Sequence, residues 1–201
     1  MLVIGIAGGT ASGKTSLVNK LKEIYAKDIL EVISQDSYYH KTDHLSMQER
    51  MELNFDHPNS LDFDLLVKHI GLLKTGITIE QPSYSFIAHN RTDQFQKIVP
   101  KKILIIEGIL ILNDKRLVNL MDYKIYIDAP NEHRFQRRLK RDIKERGRTE
   151  EEVTKRYKNT LQPMHDLFVA PTKDISDQII FNGDATKNAF EELKLSIEKQ
   201  L

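Results

Sequence analysis

An apolar stretch rich in β-branched residues, Leu2 to Ala7, runs straight into Gly8-Gly9-Thr10-Ala11-Ser12-Gly13-Lys14-Thr15. A helical pattern with Leu17, Leu21 and Ile24 on one face follows. A strand, a glycine-bounded loop and a helix in this order leave few folds open, because the loop has a mechanism. Glycines let the backbone curl until successive N–H groups point at phosphate oxygens. The helix that follows adds its positive N-terminal end. In this Walker A pattern Lys14 is expected at the β/γ-phosphates and the Thr15 hydroxyl on Mg²⁺. Gly8, Gly9, Thr10, Ala11, Ser12, Gly13, Lys14 and Thr15 are therefore the expected nucleotide-binding residues. The bland alternative is a glycine turn that merely joins strand to helix, and the lysine, the threonine and the flanking pattern all count against it.

The rest of the chain alternates strand-like and helix-like segments. Strands are expected over 29–34, 102–106, 122–128 and 178–181, and helices over 46–53, 62–76, 131–145, 149–160 and 186–201. Ser46 with Glu49 and Thr149 with Glu152 have capping-box spacing. Segments 77–81 and 95–99 read as arms of a β-hairpin excursion around a polar-aromatic stretch, Pro82 to Arg91. Together these predict an α/β fold of the P-loop nucleoside-triphosphate hydrolase type. It has a mainly parallel five-stranded sheet with helices on both faces, a hairpin at 77–99 and an arginine-rich lid at 138–160, all within one P-loop domain over 1–201.

Composition narrows the class. A chain of 201 residues, 40% hydrophobic and 29% charged, can bury a full α/β core. A net charge of +1 offers no general attraction to nucleic acid. With no cysteine, disulfides, thiolate metal sites and thiol catalysis are excluded, which fits a reducing cytoplasm. No signal or membrane-spanning segment is expected, since the run Ile103 to Ile106 is cut short by Glu107.

Nucleotide binding does not specify a reaction. A guanine-selecting Asn-Lys-x-Asp is absent, so the carboxylates must discriminate. Asp36 and Glu107 both follow expected strands, at the carboxyl edge where parallel α/β sheets hold ligands. Asp36 is the candidate general base for an acceptor hydroxyl, or the group that orients it, and a further metal-side carboxylate. Glu107 is the candidate for the Mg²⁺ side, through water. Capping or a turn would be the ordinary use of Asp36, and a strand-end ion pair that of Glu107.

At these residues the chain resembles the uridine–cytidine kinase family, within the group that includes phosphoribulokinase. The likeness runs from about residue 3 to 181 and rests on the phosphate loop, Gln35-Asp36-Ser37-Tyr38-Tyr39, Asn54-Phe55-Asp56-His57-Pro58, Pro82 to Phe86, His89-Asn90-Arg91, Ile106 to Ile109, and Arg137 to Arg148. The resemblance implies that Asp56 binds the ribose hydroxyls and that Tyr84 and His89 read the pyrimidine edge. It implies Phe86 as an aromatic wall, Arg138 and Arg148 on the nucleoside side, and Arg141 and Arg146 on the phosphates, Arg146 in catalysis. Tyr39, Phe55, Arg156 and Tyr157 complete the expected acceptor site. A small-molecule nucleoside, ATP (or GTP) with Mg²⁺, and a homotetramer or smaller homo-oligomer are implied as partners, with neither nucleic acid nor membrane.

Chemistry supports the carry-over. A carboxylate can accept from two vicinal hydroxyls and is left half satisfied by a 2′-deoxy sugar. Aromatic surfaces suit a flat base, although Phe55 and Phe86 could equally be packing residues. The arginine helix could be a solvated face or a nucleic-acid patch, but Asp142, Glu145 and Glu150 to Glu152 dilute its field. A lid makes better use of Arg146-Gly147-Arg148. The chain departs from the family pattern at Arg156, where glutamine is usual, at Gln162, and at Asn182-Gly183-Asp184. The alternatives are a kinase for another acceptor, such as a sugar phosphate, and a non-catalytic nucleotide-binding protein.

Overall fold

The computed structural model describes residues 1–183 and 188–201. The chain opens with β1 (Leu2–Ala7), α1 (Lys14–Ile24) and β2 (Leu30–Ser34), then a 3₁₀ turn, Gln35–Tyr38. Next come α2 (Met47–Glu52), α3 (Phe63–Lys74), β3 (Ile79–Ser85) and β4 (Asn90–Ile98). They lead to β5 (Ile103–Gly108), α4 (Lys115–Val118) and β6 (Tyr123–Asp128). α5 (Asn131–Arg146), α6 (Glu150–Arg156), α7 (Gln162–Met164), β7 (Gln178–Phe181) and α8 (Ala189–Glu198) follow.

Five strands pair in parallel in the order β2-β5-β1-β6-β7, while β3 and β4 form a separate antiparallel ribbon. The alternating strand residues split the core in two. Val3, Leu104, Ile106 and Tyr126 pack toward Leu66, Ile70 and Leu73 of α3. Ile4, Ile6, Ile105 and Ile127 pack toward Leu17, Val18 and Leu21 of α1 and Leu193 and Ile197 of α8. Burying one such side chain is worth roughly 1.5–3 kcal/mol, more than a surface ion pair at about 0–1 kcal/mol. The sheet therefore decides where the helices sit. Because β1 lies between β5 and β6, the chain turns to opposite sides of it, and the crevice of an open parallel sheet forms at such a reversal.

Several boundaries differ from expectation. Ile24 is 50% exposed, and Val18 takes the inward position. The chain leaves the helix at Tyr25, whose backbone is extended. The hairpin ladder runs through the polar-aromatic stretch, pairing Tyr84 with Arg91 and Ser85 with Asn90. Its register shifts between Pro82 and Tyr84, because Pro82 has no N–H to donate. Beyond α6 the chain stays helical through wide π-type turns, Tyr157–Leu161 and His165–Val169, and a 3₁₀ turn, Ala170–Ile175. Pro163 stands at the start of α7 between the π turns and cannot supply an intrahelical donor, which the local change of helical pitch accommodates. The last helix starts at Ala189, capped by Asn188. The expected start at Thr186 lies outside the described residues. Among the described residues no helix is long and apolar enough to cross a membrane.

The end of β5 shows why one glycine is needed. A Cβ on Gly108 would collide with the buried Gln35 side chain, whose Oε1 accepts from the Leu110 N–H at 2.7 Å. Gln35 in turn precedes Asp36. Gly108→Ala should therefore cost about 1–3 kcal/mol in a urea melt, the usual price of overpacking, and shift Asp36 as well.

Candidate active site

The phosphate loop wraps its own lysine. Gly13 takes a left-handed conformation (φ 98°) as the helix opens, and Ala11 does so too (φ 57°). The buried Lys14 ammonium donates to the carbonyls of Gly8 (2.9 Å) and Gly9 (3.0 Å). Two elements from the far end of the chain brace the loop. Arg138 donates to the Thr10 hydroxyl at 2.6 Å, and Asn182 donates to the Ser12 carbonyl at 2.7 Å. Thus Asn182, one of the departures from the family pattern, contacts phosphate-loop backbone, while Asp184 lies outside the described residues.

One pocket joins this loop to the carboxylates. Thr10, Ala11, Lys14, Thr15, Asp36 and Glu107 line it together. Gly8, Gly9, Ser12 and Gly13 shape the loop without lining it. Glu107 is buried and accepts from the Ser34 hydroxyl at 2.9 Å. Loss of hydration raises the Glu107 carboxyl above its usual value, and Lys14 offsets this only in part. Asp36 is raised for the same first reason, with Lys14 and the nearby Tyr39 hydroxyl opposing. Lys14 is lowered by burial, against the pull of Glu107 and Asp36. These three groups face one another across a poorly hydrated floor, the setting in which charges act strongly.

Beyond Asp36 the pocket is walled by rings. Tyr39, Phe55, Tyr84, Phe86 and His89 all line it. Tyr39 and Tyr84 have centroids 5.1 Å apart, Tyr84 and Phe86 5.3 Å, and His89 stacks on Phe55 at 6.0 Å. His89 itself is left-handed (φ 47°), which turns the hairpin tip inward. Arg91 ties the hairpin to the Asp36 segment through the carbonyls of Tyr39 (2.9 Å) and Tyr38 (3.1 Å). Asp56 sits in the same wall, raised by loss of hydration with Arg138 and Arg156 opposing.

The roof is basic. Arg138, Arg141, Arg146 and Arg148 all line the pocket, and Arg146 lies 5.1 Å over the Phe86 ring. Arg156 lines it too, but its guanidinium donates to the carbonyls of Met51 (2.9 Å) and Leu53 (3.0 Å). Tyr157 is not brought to the pocket. Its hydroxyl donates to Asn131 Oδ1 at 2.6 Å and its ring packs on Phe135, because the residue falls where the π-type turn after α6 meets α5. Gln162 binds Asp166 at 2.7 Å, away from the pocket. Sequence reasoning gave no separate role to Gln35 or Arg91, which brace the site, and took Asp142 only as an acid that dilutes the basic field. The spacing of Asp142, four residues from both Arg138 and Arg146, was the available signal.

The central strand, its phosphate loop and a carboxylate-floored pocket lined by arginines define a P-loop kinase. The profile of the Phosphoribulokinase / Uridine kinase family matches residues 3–188, and the chain belongs to that family. A uridine kinase from Clostridium perfringens is 45% identical over 200 residues, spanning 100% of this chain and 96% of the relative. One from Vibrio cholerae is 42% identical over 204 residues, again spanning 100% and 96%. A crystal structure described as a fructose transport system kinase, from a Silicibacter species, superimposes with a TM-score of 0.71. It covers 89% of this chain and 88% of its own at 19% identity, a likeness of fold alone.

Proposed function

We propose that the chain, acting as one kinase domain, transfers the γ-phosphoryl of ATP to the 5′-hydroxyl of uridine, and of cytidine. The observation that carries this reading is the single pocket in which Asp36 stands between the phosphate loop and the ring-walled side holding Asp56. Lys14 would neutralise the transferred phosphoryl group, and Asp36 would take or orient the acceptor proton. Arg141 and Arg146 would meet the phosphates, and Arg138 and Arg148 the nucleoside.

The oxygen donors fit Mg²⁺, which keeps several waters and shares its shell with substrate phosphates. Among the described residues no group of three or more His, Cys, Asp or Glu is arranged to hold a metal unaided. The Thr15 hydroxyl beside Glu107, with Asp36 across the floor, would hold the ion. When bound it neutralises charge on the phosphate oxygens.

A sugar-phosphate acceptor would draw little on Arg156, whose guanidinium is already engaged with two carbonyls. The same proposal takes the enzyme to be a cytoplasmic homo-oligomer, which the exposed Phe95 and Val99 of the hairpin region would suit. Coupled ADP release with ATP, Mg²⁺ and either uridine or cytidine tests the activity. Strong turnover with these and weak turnover with adenosine is expected, and no turnover with either pyrimidine ribonucleoside would sink the assignment.

A further inference from the structure

α5 carries one fully buried side chain that the proposed reaction does not use. Asp142 is 0% exposed on a helix that is otherwise dense in arginine and lysine. Four guanidiniums surround its carboxylate: Arg138 Nε (3.3 Å), Arg141 Nε (3.3 Å), Arg146 Nη1 (3.4 Å) and Arg148 Nη1 (3.9 Å). Every other carboxylate in an ion pair among the described residues faces a single cation. All four of these arginines line the candidate pocket.

We propose that Asp142 is the positioning residue of the lid, a fixed anion that gathers four mutually repelling guanidiniums into one basic roof over the phosphates. This rests on the kinase reading above and adds a residue to it. The geometry suits the task. Arg138 and Arg141 offer Asp142 their Nε edge, so their terminal nitrogens stay available, and Arg138 already spends one on Thr10. Arg148 is also tied through its backbone, whose N–H donates to the Asp142 carbonyl at 3.3 Å across the left-handed Gly147. The contact between Arg138 Nε and Asp142 Oδ2 is not an aligned hydrogen bond, and that oxygen has no such partner among the described residues. The anion therefore collects the arginines without locking their forks, which can still turn to phosphate oxygens. One negative against four positive charges leaves the roof strongly cationic.

The test compares wild type, Asp142→Asn and Asp142→Glu at several ATP concentrations, with melting followed by calorimetry. Asn keeps the shape and deletes the charge, so guanidinium repulsion should spread the roof by an ångström or more. A misplacement of that size costs ~10²-fold in turnover. The expected result is a fall of that order in kcat at saturating ATP and uridine for Asp142→Asn, measured well below its melting temperature, with partial recovery in Asp142→Glu. A merely structural role would lower Tm and leave the kcat of folded protein unchanged, and that outcome overturns the proposal. So would equal activity of all three proteins. Should Asp142→Asn not fold, Asp142→Glu carries the test alone: its charge is displaced by one methylene, and wild-type kcat and ATP KM in a folded Glu variant would overturn the proposal. Wild-type failure to turn over uridine would instead strike the kinase reading, so the two failures are distinguishable.

Discussion

Replacing Asp36 with asparagine is expected to cut kcat by ~10²-fold or more, the range for loss of a general base, while ATP still binds. The carboxylate lines the pocket with Lys14 and Thr15 but makes no ion pair of its own among the described residues. Isothermal titration with a non-hydrolysable ATP analogue, beside steady-state kinetics, separates the two effects. Near-normal turnover would remove Asp36 from its role. The pH profile gives a second reading. Because loss of hydration raises both Asp36 and Glu107 in the metal-free protein, the acid limb of kcat/KM for MgATP, which reports the free enzyme, should lie above the ordinary carboxylate range and belong to the pair. Activity rises with pH as the base is uncovered, and Asp36→Asn should lose part of that limb.

Stability should move the opposite way. Asp36 binds its proton more tightly in the native state than in the unfolded chain. Stability therefore falls as pH rises from the ordinary value of 3.8 through the raised one, and stays lower above it. At pH 8 Asp36→Asn relieves that penalty, so its Tm should equal or exceed that of wild type, the familiar opposition of activity and stability at a site.

The second large effect concerns the sugar. Uridine should exceed 2′-deoxyuridine in kcat/KM by ~10²-fold or more, because a site built to bind a hydroxyl is left unsatisfied without it. Asp56 is the group that would be left so, standing opposite Arg138 and Arg156 in the wall of the pocket. Asp56→Ala should bring the two substrates to within a few-fold, chiefly by losing uridine efficiency. If the preference for the ribose survives in Asp56→Ala, another residue reads the 2′-hydroxyl and Asp56 does not.

Arg156 illustrates how a departure from the family pattern changes meaning once seen in place. On sequence it belongs to the expected acceptor site, where the family usually has glutamine. In the fold it spans from α6 to the end of α2, a helix with no buried residue, and holds two of the carbonyls there. Its long fork can reach backbone that a glutamine would not.

The local sequence determined much of this protein, because some of its signals need only neighbours. The phosphate loop, both capping boxes, the core strands and the arginine helix follow from short-range sterics, hydrogen bonding and hydrophobic period, and each was legible. The positions of Asp36 and Glu107 at one sheet edge followed from strand alternation as well. The tertiary structure alone decided which side chains of a given segment point where. It turned Tyr157 inward to Asn131, gathered four arginines on Asp142, and brought Asn182 against Ser12 across the length of the chain. Those outcomes depend on how α6 and the turn after it pack on α5 and how β7 closes beside β6. They are long-range contacts whose energy belongs to the assembled fold and to no single stretch of chain.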